Sequence, residues 1–231
     1  MTQRIPTHIG MILDGNRRWA TSKGKNVLEG HKVGADTVRK LIRHLHKIGV
    51  HTVTIWVFST ENWNRDTIQV KGLMMLFEQI AEVYLKEAME QKSRIVHLGR
   101  RDRIPQGLRE KIEKYERLTE GYTEHTLNIA LDYGGRDEVL RGVRRAIEQG
   151  IAPEDITTES FNDFLDTRNQ LHPEPDIIIR TGGEHRMSGF LIWQGVYAEY
   201  FFPEKFLPEM TTDDLDAILV EYNNRERRFG K

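Results

Sequence analysis

The chain of 231 residues contains no cysteine. Disulfides, thiolate-held zinc, iron–sulfur clusters and thiol nucleophiles are therefore excluded. No run approaches the ~20 consecutive apolar residues that cross a bilayer. The longest apolar patches, 53–58 and 190–193, are short. The N-terminal segment has too short an apolar run for a signal peptide and no small-residue cleavage site. A soluble, cytoplasmic protein is the expectation. Net charge is also lacking, since 34 Lys+Arg against 35 Asp+Glu leave −1. A general nucleic-acid binder carries a basic surplus, so that class is excluded. The charged fraction of 30% still leaves room for local clusters of arginine. There is no fixed-period repeat, no low-complexity tract and no Pro/Gly/Ser-rich linker. One domain spanning 1–231 is expected, long enough to bury a substantial core.

What is present is an alternation of short apolar runs with helical periodicity. Residues 8–13 read as a strand that ends in the turn Asp14-Gly15-Asn16. Val38, Leu41, Ile42, Leu45 and Ile48 recur at helical spacing until Gly49 stops the helix. Residues 51–58, rich in β-branched and aromatic side chains, read as a buried strand. Apolar residues from Val70 to Ala88 mark a long amphipathic helix. Further strands are expected over 94–98, 126–131, 176–180 and 190–194. Further helices are expected around 108–118, 139–147 and 215–222. This pattern predicts an α/β fold, a mainly parallel six-stranded sheet flanked by helices. Ligands of such sheets sit beyond the carboxyl ends of the strands. The loops after 8–13, 51–58 and 176–180 are thus the places to search.

The first of these loops is Asp14-Gly15-Asn16-Arg17-Arg18-Trp19. Glycine lets the backbone turn sharply beside a ligand. Exposed N–H groups and two arginines suit a diphosphate, and Asp14 suits a magnesium ion bridging carboxylate and phosphate oxygens. The plainer alternative is an Asp-Gly turn before a solvated, basic helix start. The second loop, Ser59-Thr60-Glu61-Asn62-Trp63-Asn64-Arg65, packs polar groups around one tryptophan. Ser59 and Asn62 offer hydrogen bonds, Arg65 charge and Trp63 a flat wall. Alternatively, Ser59 or Thr60 caps a helix and Trp63 is core. In the third loop Arg180 and Arg186 flank Gly182-Gly183, with Ser188 behind, a second anion site or a pair of surface arginines. Glu199 lies in an apolar stretch and calls for a cation partner, either a metal or an arginine. His44, His46, His51 and His97 show no ligand-like spacing. The basic tail 225–230 reads equally as a solvated helix end.

Together these stretches resemble the cis-prenyltransferase family, on the side of the bacterial undecaprenyl diphosphate synthases. The resemblance is carried by DGNRRWA (14–20), GHKVGA (30–35), FSTENWNR (58–65), HTLNIA (125–130), YGGRDE (133–138), RTGGEHRMSGFLIWQ (180–194), YAEYFF (197–202) and RERRFG (225–230). It implies a magnesium-dependent enzyme that condenses isopentenyl diphosphate onto an allylic diphosphate such as farnesyl diphosphate, with Z stereochemistry. It further implies a homodimer, a hydrophobic product tunnel, and peripheral membrane contact at product release. By the same resemblance Asp14 serves magnesium and the diphosphates. Gly15, Asn16, Arg17, Arg18, Trp19 and His31 match the allylic diphosphate cradle. Ser59, Thr60 and Glu61 match the substrate loop. Asn62 matches the residue that assists proton removal from isopentenyl diphosphate, with Trp63 and Arg65 as contacts beside it. Arg180, Arg186, Met187 and Ser188 match the isopentenyl diphosphate site. His185 and Glu199 match residues near the metal, and Arg228 with Gly230 matches a terminal Arg-x-Gly that reaches the partner subunit.

The sequence departs from that pattern at four positions. Val27 stands where many members have arginine, and Val57 where alanine is common on the tunnel wall. Asp66 replaces a proline and Gly189 an asparagine. Val57 narrows the expected tunnel and motivates a second reading, a short-chain or irregular coupling enzyme on the same scaffold. A reading from another class is a non-catalytic partner subunit. Such subunits lose the DGN aspartate or the substrate-loop residues, whereas this chain keeps Asp14, Asn62 and Glu199.

Overall fold

The structure, a computed structural model, describes residues 4–225. Six strands form one parallel sheet: β1 (His8–Ile12), β2 (Thr52–Ser59), β3 (Ser93–Leu98), β4 (His125–Tyr133), β5 (Ile177–Arg180) and β6 (Glu199–Phe201). Their spatial order is β3-β4-β2-β1-β5-β6, and every adjacent pair is parallel. The helices are α1 (Asn16–Ser22), α2 (Val27–Lys47), α3 (Thr67–Glu90), α4 (Gln106–Thr119), α5 (Gly135–Glu148), α6 (Thr158–Phe161) and α7 (Thr212–Asn224). β1 lies between β2 and β5, so the three loops singled out in the sequence share one edge of the sheet.

The α/β class and the six parallel strands agree with expectation, but one strand is displaced. Residues 190–194 are not a strand. They form a run of turns whose Phe190 and Leu191 are fully buried, with Phe190 stacked 5.2 Å from Trp56. Their apolarity comes from plugging one face of the sheet, a signal that cannot be told from a buried strand by composition. The sixth strand is the short edge strand β6, whose first residue is the carboxylate Glu199.

Local chemistry explains how the site-bearing helices start. Asn26 accepts from Glu29 N, and the Glu29 side chain returns to Asn26 N, a capping box that opens α2. Gly30 and Gly34 let α2 close onto Asn16: a Cβ at either would stand 2.4 Å from the Asn16 carbonyl oxygen or 2.0 Å from its Oδ1. Asp66 accepts from the N–H groups of Ile68 and Gln69 and caps α3. Asp66, one of the four departures noted in the sequence, is therefore a helix cap.

The core lies on both faces of the sheet. One face packs β1, β2 and β5 (Met11, Ile55 and Ile179) against α2 and α7 (Leu41, Leu45, Leu215 and Tyr222). The other holds Trp56, Tyr133, Phe190 and Leu191. Four histidines are kept neutral mainly by burial, which lowers His8 to about 3 and His31, His46 and His97 to about 4. Unfolded, they take up protons near pH 6.5. Between about pH 4 and 6.5 the unfolded chain thus binds more protons than the folded one, so stability falls as pH drops through that window. Thermal melts should show Tm decreasing between pH 7 and 5. A flat Tm over that range contradicts the burial of these rings.

Candidate active site

The site is built at the carboxyl ends of β1, β2 and β5. Beyond β1 the chain turns through Gly15, whose φ of 105° lies in the left-handed region and whose Cα approaches Phe206 so closely that a Cβ would meet that ring at 2.7 Å. The turn aims Asp14 back over the sheet edge. Arg180, the last residue of β5, is 5% exposed and binds it directly: Nη2 donates to Asp14 Oδ2 at 2.8 Å. Its Nη1 donates to the Arg186 carbonyl at 2.6 Å and to Ser188 Oγ at 2.9 Å. The buried Nε of Arg180 has no partner. Thr181 Oγ1 donates to the Asp14 carbonyl at 2.6 Å and locks the two loops together. Arg18 lies 3.3 Å from Asp14 Oδ1 and also donates to Glu184, which pairs with Arg186 in turn.

The electrostatics result from this packing. Burial alone would raise the Asp14 carboxyl. The hydrogen bond and charge of Arg180, the Gly15 N–H and the charge of Arg18 outweigh it, so Asp14 is held below the usual carboxylate range. Arg65 is pulled below its ordinary value by burial and by Arg17, with Asp14 opposing. His31 is neutral because of burial and the neighbouring charge of Arg65. One ionised carboxylate thus sits among several guanidinium groups.

These side chains open into a cavity of about 320 Å³. Its polar end is lined by Asp14, Asn16, His31, Ser59, Asn62, Arg65, Arg180 and Ser188. Its other walls are mainly apolar, from α2 (Val38), β2 (Ile55 and Val57), α3 (Leu76, Phe77 and Ile80) and α4 (Leu108 and Ile112), with Tyr84, His97 and Tyr115 among them. Val57 is among the residues that line this cavity.

Not every singled-out residue joins this lining. Arg17 is exposed beside Arg65, and Trp19 is half-buried on α1. Ser59 and Asn62 cap the short 3-10 turn Thr60–Asn64, with Asn62 Oδ1 accepting from Ser59 N. Thr60 backs onto Gly134, and Glu61 is exposed. The Trp63 ring meets Phe58 edge-on at 5.1 Å, and its Nε1 donates to Asp132 Oδ1 at 2.9 Å. It packs as core rather than as a cavity wall. Met187 packs on the face that holds Trp56, and Arg186 is exposed beside Glu184. Ser188 and Gly189 are both in the left-handed region, with φ of 52° and 92°. Asparagine tolerates that region, so glycine at 189 suits the same backbone.

The three residues expected around a metal are not brought together. His185 is exposed, stacked 5.0 Å from Phe202 and 4.0 Å from Glu204. Glu199 pairs in register with Ile177, three residues before Arg180, about 10 Å back along the strands from the Asp14 edge. Its cation partner is Arg225, at 2.9 Å. Among the described residues no three His, Asp or Glu side chains are grouped to hold an ion. Magnesium, however, is commonly held by one or two carboxylates plus substrate phosphates. Asp14, ionised and facing the cavity beside guanidinium groups, fits that kind of site. Arg228 and Gly230 lie outside the described residues.

The sequence did not point to Thr181, to Asp132 or to the cavity residues His97 and Tyr115. The last two sit in runs read as strand and helix, and a side chain facing a cavity has the same periodicity as one facing packed core.

The prenyltransferase family profile for undecaprenyl diphosphate synthase matches residues 12–230. An isoprenyl transferase of Fusobacterium nucleatum is 41% identical over 230 residues, covering 100% of this chain and 98% of that protein. The ditrans,polycis-undecaprenyl-diphosphate synthase ((2E,6E)-farnesyl-diphosphate specific) of Escherichia coli K12 is 39% identical over 238 residues, covering 100% and 93%. The crystal structure of lavandulyl diphosphate synthase from Lavandula x intermedia, in complex with dimethylallyl diphosphate, superposes with a TM-score of 0.94. Its sequence is 33% identical, with 98% of this chain and 99% of that chain covered.

Proposed function

The chain belongs to the undecaprenyl diphosphate synthase family of prenyltransferases, and from that premise we propose that it condenses isopentenyl diphosphate units onto farnesyl diphosphate, with Z stereochemistry, to give a polyprenyl diphosphate of the lipid-carrier type. One observation carries the reading: a single cavity is cationic around one ionised carboxylate at its mouth and apolar beyond. A diphosphate head on a hydrocarbon tail asks for that division, and the apolar part is the tunnel for the growing chain.

The residues divide the work by chemistry. Arg18 and the cationic end of α1 stabilise the diphosphate that leaves the allylic carbon. Arg180, with its unpaired Nε, and Ser188 hold isopentenyl diphosphate alongside. The terminal alkene carbon of isopentenyl diphosphate attacks the allylic C1 as the C1–O bond to diphosphate breaks. The resulting tertiary cation loses a proton from C2, forming the new double bond. Asn62 orients that end of the substrate, and a diphosphate oxygen, more basic than an amide, takes the proton. Asp14 would hold magnesium, which when bound would supply charge neutralisation where two diphosphates meet.

The test is incubation of the protein with farnesyl diphosphate, radiolabelled isopentenyl diphosphate and magnesium, followed by chromatography of the extracted lipid. Label in a long prenyl diphosphate is the expected result. No incorporation with farnesyl, geranyl or dimethylallyl diphosphate overturns the reading.

The likeness to a lavandulyl diphosphate synthase, together with Val57 on the cavity wall, favours a short-chain product as the second reading. If Val57 limits the tunnel, Val57→Ala lengthens the product distribution. An unchanged distribution removes Val57 as a length determinant.

We take the assembly to be a homodimer. On α5, Leu140, Val143 and Ile147 recur at helical spacing and are 58%, 40% and 69% exposed, an unpartnered apolar stripe that a second copy covers. Leu140→Glu with Ile147→Glu should move sedimentation from dimer toward monomer. Wild-type protein sedimenting as a monomer contradicts this reading. No helix among the described residues is long and apolar enough to cross a membrane. A cytoplasmic enzyme that touches the membrane only to release its lipid is the corresponding proposal.

A further inference from the structure

Asp132 is the most confined carboxylate near the site, with its side chain 0% exposed. It lies between Leu131 and Tyr133 near the end of β4, and its φ of 54° is left-handed, a conformation that costs free energy in a residue other than glycine. Opposite it, the pairing of β2 with β4 shifts register between Trp56 and Phe58 and again between Phe58 and Ser59. Such irregularities re-aim the side chains immediately downstream. Directly downstream of β2 is the turn Thr60–Asn64, which carries Asn62 to the cavity.

The Asp132 carboxylate holds that turn from behind. Its Oδ1 accepts from Trp63 Nε1 at 2.9 Å, and its Oδ2 accepts from Arg103 Nε at 2.9 Å. A second Arg103 nitrogen pairs with Oδ1. The Arg103 guanidinium also lies over the Trp63 ring, 5.6 Å from its centroid. The backbone is tied in as well, because the Asp132 carbonyl accepts from Arg100 N at 3.0 Å. A carboxylate this deep is tolerated only with a charged, hydrogen-bonded partner. Arg103 supplies the charge, and Trp63 takes the remaining acceptor capacity.

We propose that Asp132 and Arg103 form a positioning pair for the isopentenyl diphosphate loop: by gripping the indole N–H of Trp63 from behind, they fix where neighbouring Asn62 and Arg65 stand at the cavity mouth. The proposal rests on the condensation reading for the identity of the ligand. Neither Asp132 nor Arg103 lines the cavity, so the pair touches no substrate and acts through Trp63. The consequence is selective. Asp14 and Arg18 are held by contacts of their own, with Arg180, Gly15 N and Glu184, so the effect falls first on Asn62 and Arg65.

The decisive variants are Trp63→Phe, which keeps a ring and removes the N–H, and Asp132→Asn, which keeps an acceptor for Trp63 and removes the charge. Steady-state kinetics in each substrate, calorimetric binding of isopentenyl diphosphate and thermal melts are measured on the full chain. For Trp63→Phe the expected result is a fall of about 10- to 100-fold in kcat/KM for isopentenyl diphosphate. That fall comes chiefly through KM, with KM for farnesyl diphosphate unchanged and binding weakened to match. Asp132→Asn keeps the acceptor for Trp63 but sets an amide N–H against Arg103 in place of Oδ2, so a smaller fall in isopentenyl diphosphate affinity than in Trp63→Phe is expected. Wild-type affinity in Asp132→Asn removes Arg103 from the proposal. Unchanged isopentenyl diphosphate parameters in Trp63→Phe overturn the proposal and leave the condensation reading standing. A parallel loss in both substrates that tracks a lowered Tm also overturns it, since that is a structural role only. If wild type binds isopentenyl diphosphate without turning it over, the condensation reading fails, and the binding comparison still decides the positioning pair. Absence of binding by wild type overturns both.

Discussion

Asp14→Ala is expected to reduce prenyl transfer by about 10²–10³-fold or more in kcat, the scale on which removal of one preorganised charge-stabilising group acts. The geometry makes Asp14 the point where the loop after β1 and the end of β5 meet, through Arg180 at 2.8 Å and the Gly15 N–H at 2.6 Å. Held below the usual carboxylate range by Arg180, Gly15 N–H and Arg18, it is ionised at neutral pH. The stability that this ionisation supports is present above the ordinary carboxylate pKa and is lost as pH falls through the lower folded value. At neutral pH, therefore, the alanine variant loses the carboxylate outright rather than a fraction of it. Asp14→Asn removes the charge at nearly the same volume: its single amide oxygen keeps one of the two bonds, from Gly15 N or from Arg180, and its NH2 takes the other acceptor's place. If the charge is what serves the diphosphates, the asparagine variant is nearly as impaired as alanine, with a Tm no lower than that of alanine. Wild-type turnover in Asp14→Asn would remove the Asp14 charge from the chemistry.

Arg180→Met is the second large effect. The guanidinium is 5% exposed and ties Asp14, the Arg186 carbonyl and Ser188 in one grip. Methionine fills part of the volume but leaves three acceptors without their donor. Asp14 is partly open to water, so the stability cost is about 1–3 kcal/mol, on the scale of a buried polar group left unpaired rather than of a fully buried ion pair. The catalytic cost is larger, about 10²-fold or more in kcat/KM for isopentenyl diphosphate, because both the anion contact and the placement of Asp14 are lost. Arg180→Lys keeps the charge but not the planar fork and should fall between the two. The losses from Asp14→Ala and Arg180→Met will not add, since the two residues share one interaction. Chromatographic assay of the two single variants and the double variant reads this directly. Additive losses contradict the shared contact.

The fold was largely legible from periodicity because it depends on patterns that span many residues. The helices around Val38–Leu45 and Val70–Ala88, and all strands but one, announce their buried faces at period 3.6 or as β-branched runs. The missed strand is β6, in whose place 190–194 was expected, since burial of Phe190 and Leu191 leaves the same apolar trace whether they sit in a ladder or in turns. The polar mouth of the cavity was legible for a different reason. Parallel topology fixes where the loops after β1, β2 and β5 must lie, and Asp14, Asn62 and Arg180 stand in those loops. What composition could not show is partnership. Glu199 called for a cation, and only the folded chain reveals that Arg225 answers it, away from Asp14. Trp63 read equally as a wall or as core, and the choice turns on Asp132, 69 residues away in sequence.

The double-bond geometry of the product tests the account most directly. With ¹³C-labelled isopentenyl diphosphate, farnesyl diphosphate and magnesium, NMR of the purified lipid should show Z geometry at every newly formed double bond in a head-to-tail chain. New double bonds of E geometry, or a branched head-to-middle product, would contradict the assignment of this cleft to Z-selective chain elongation.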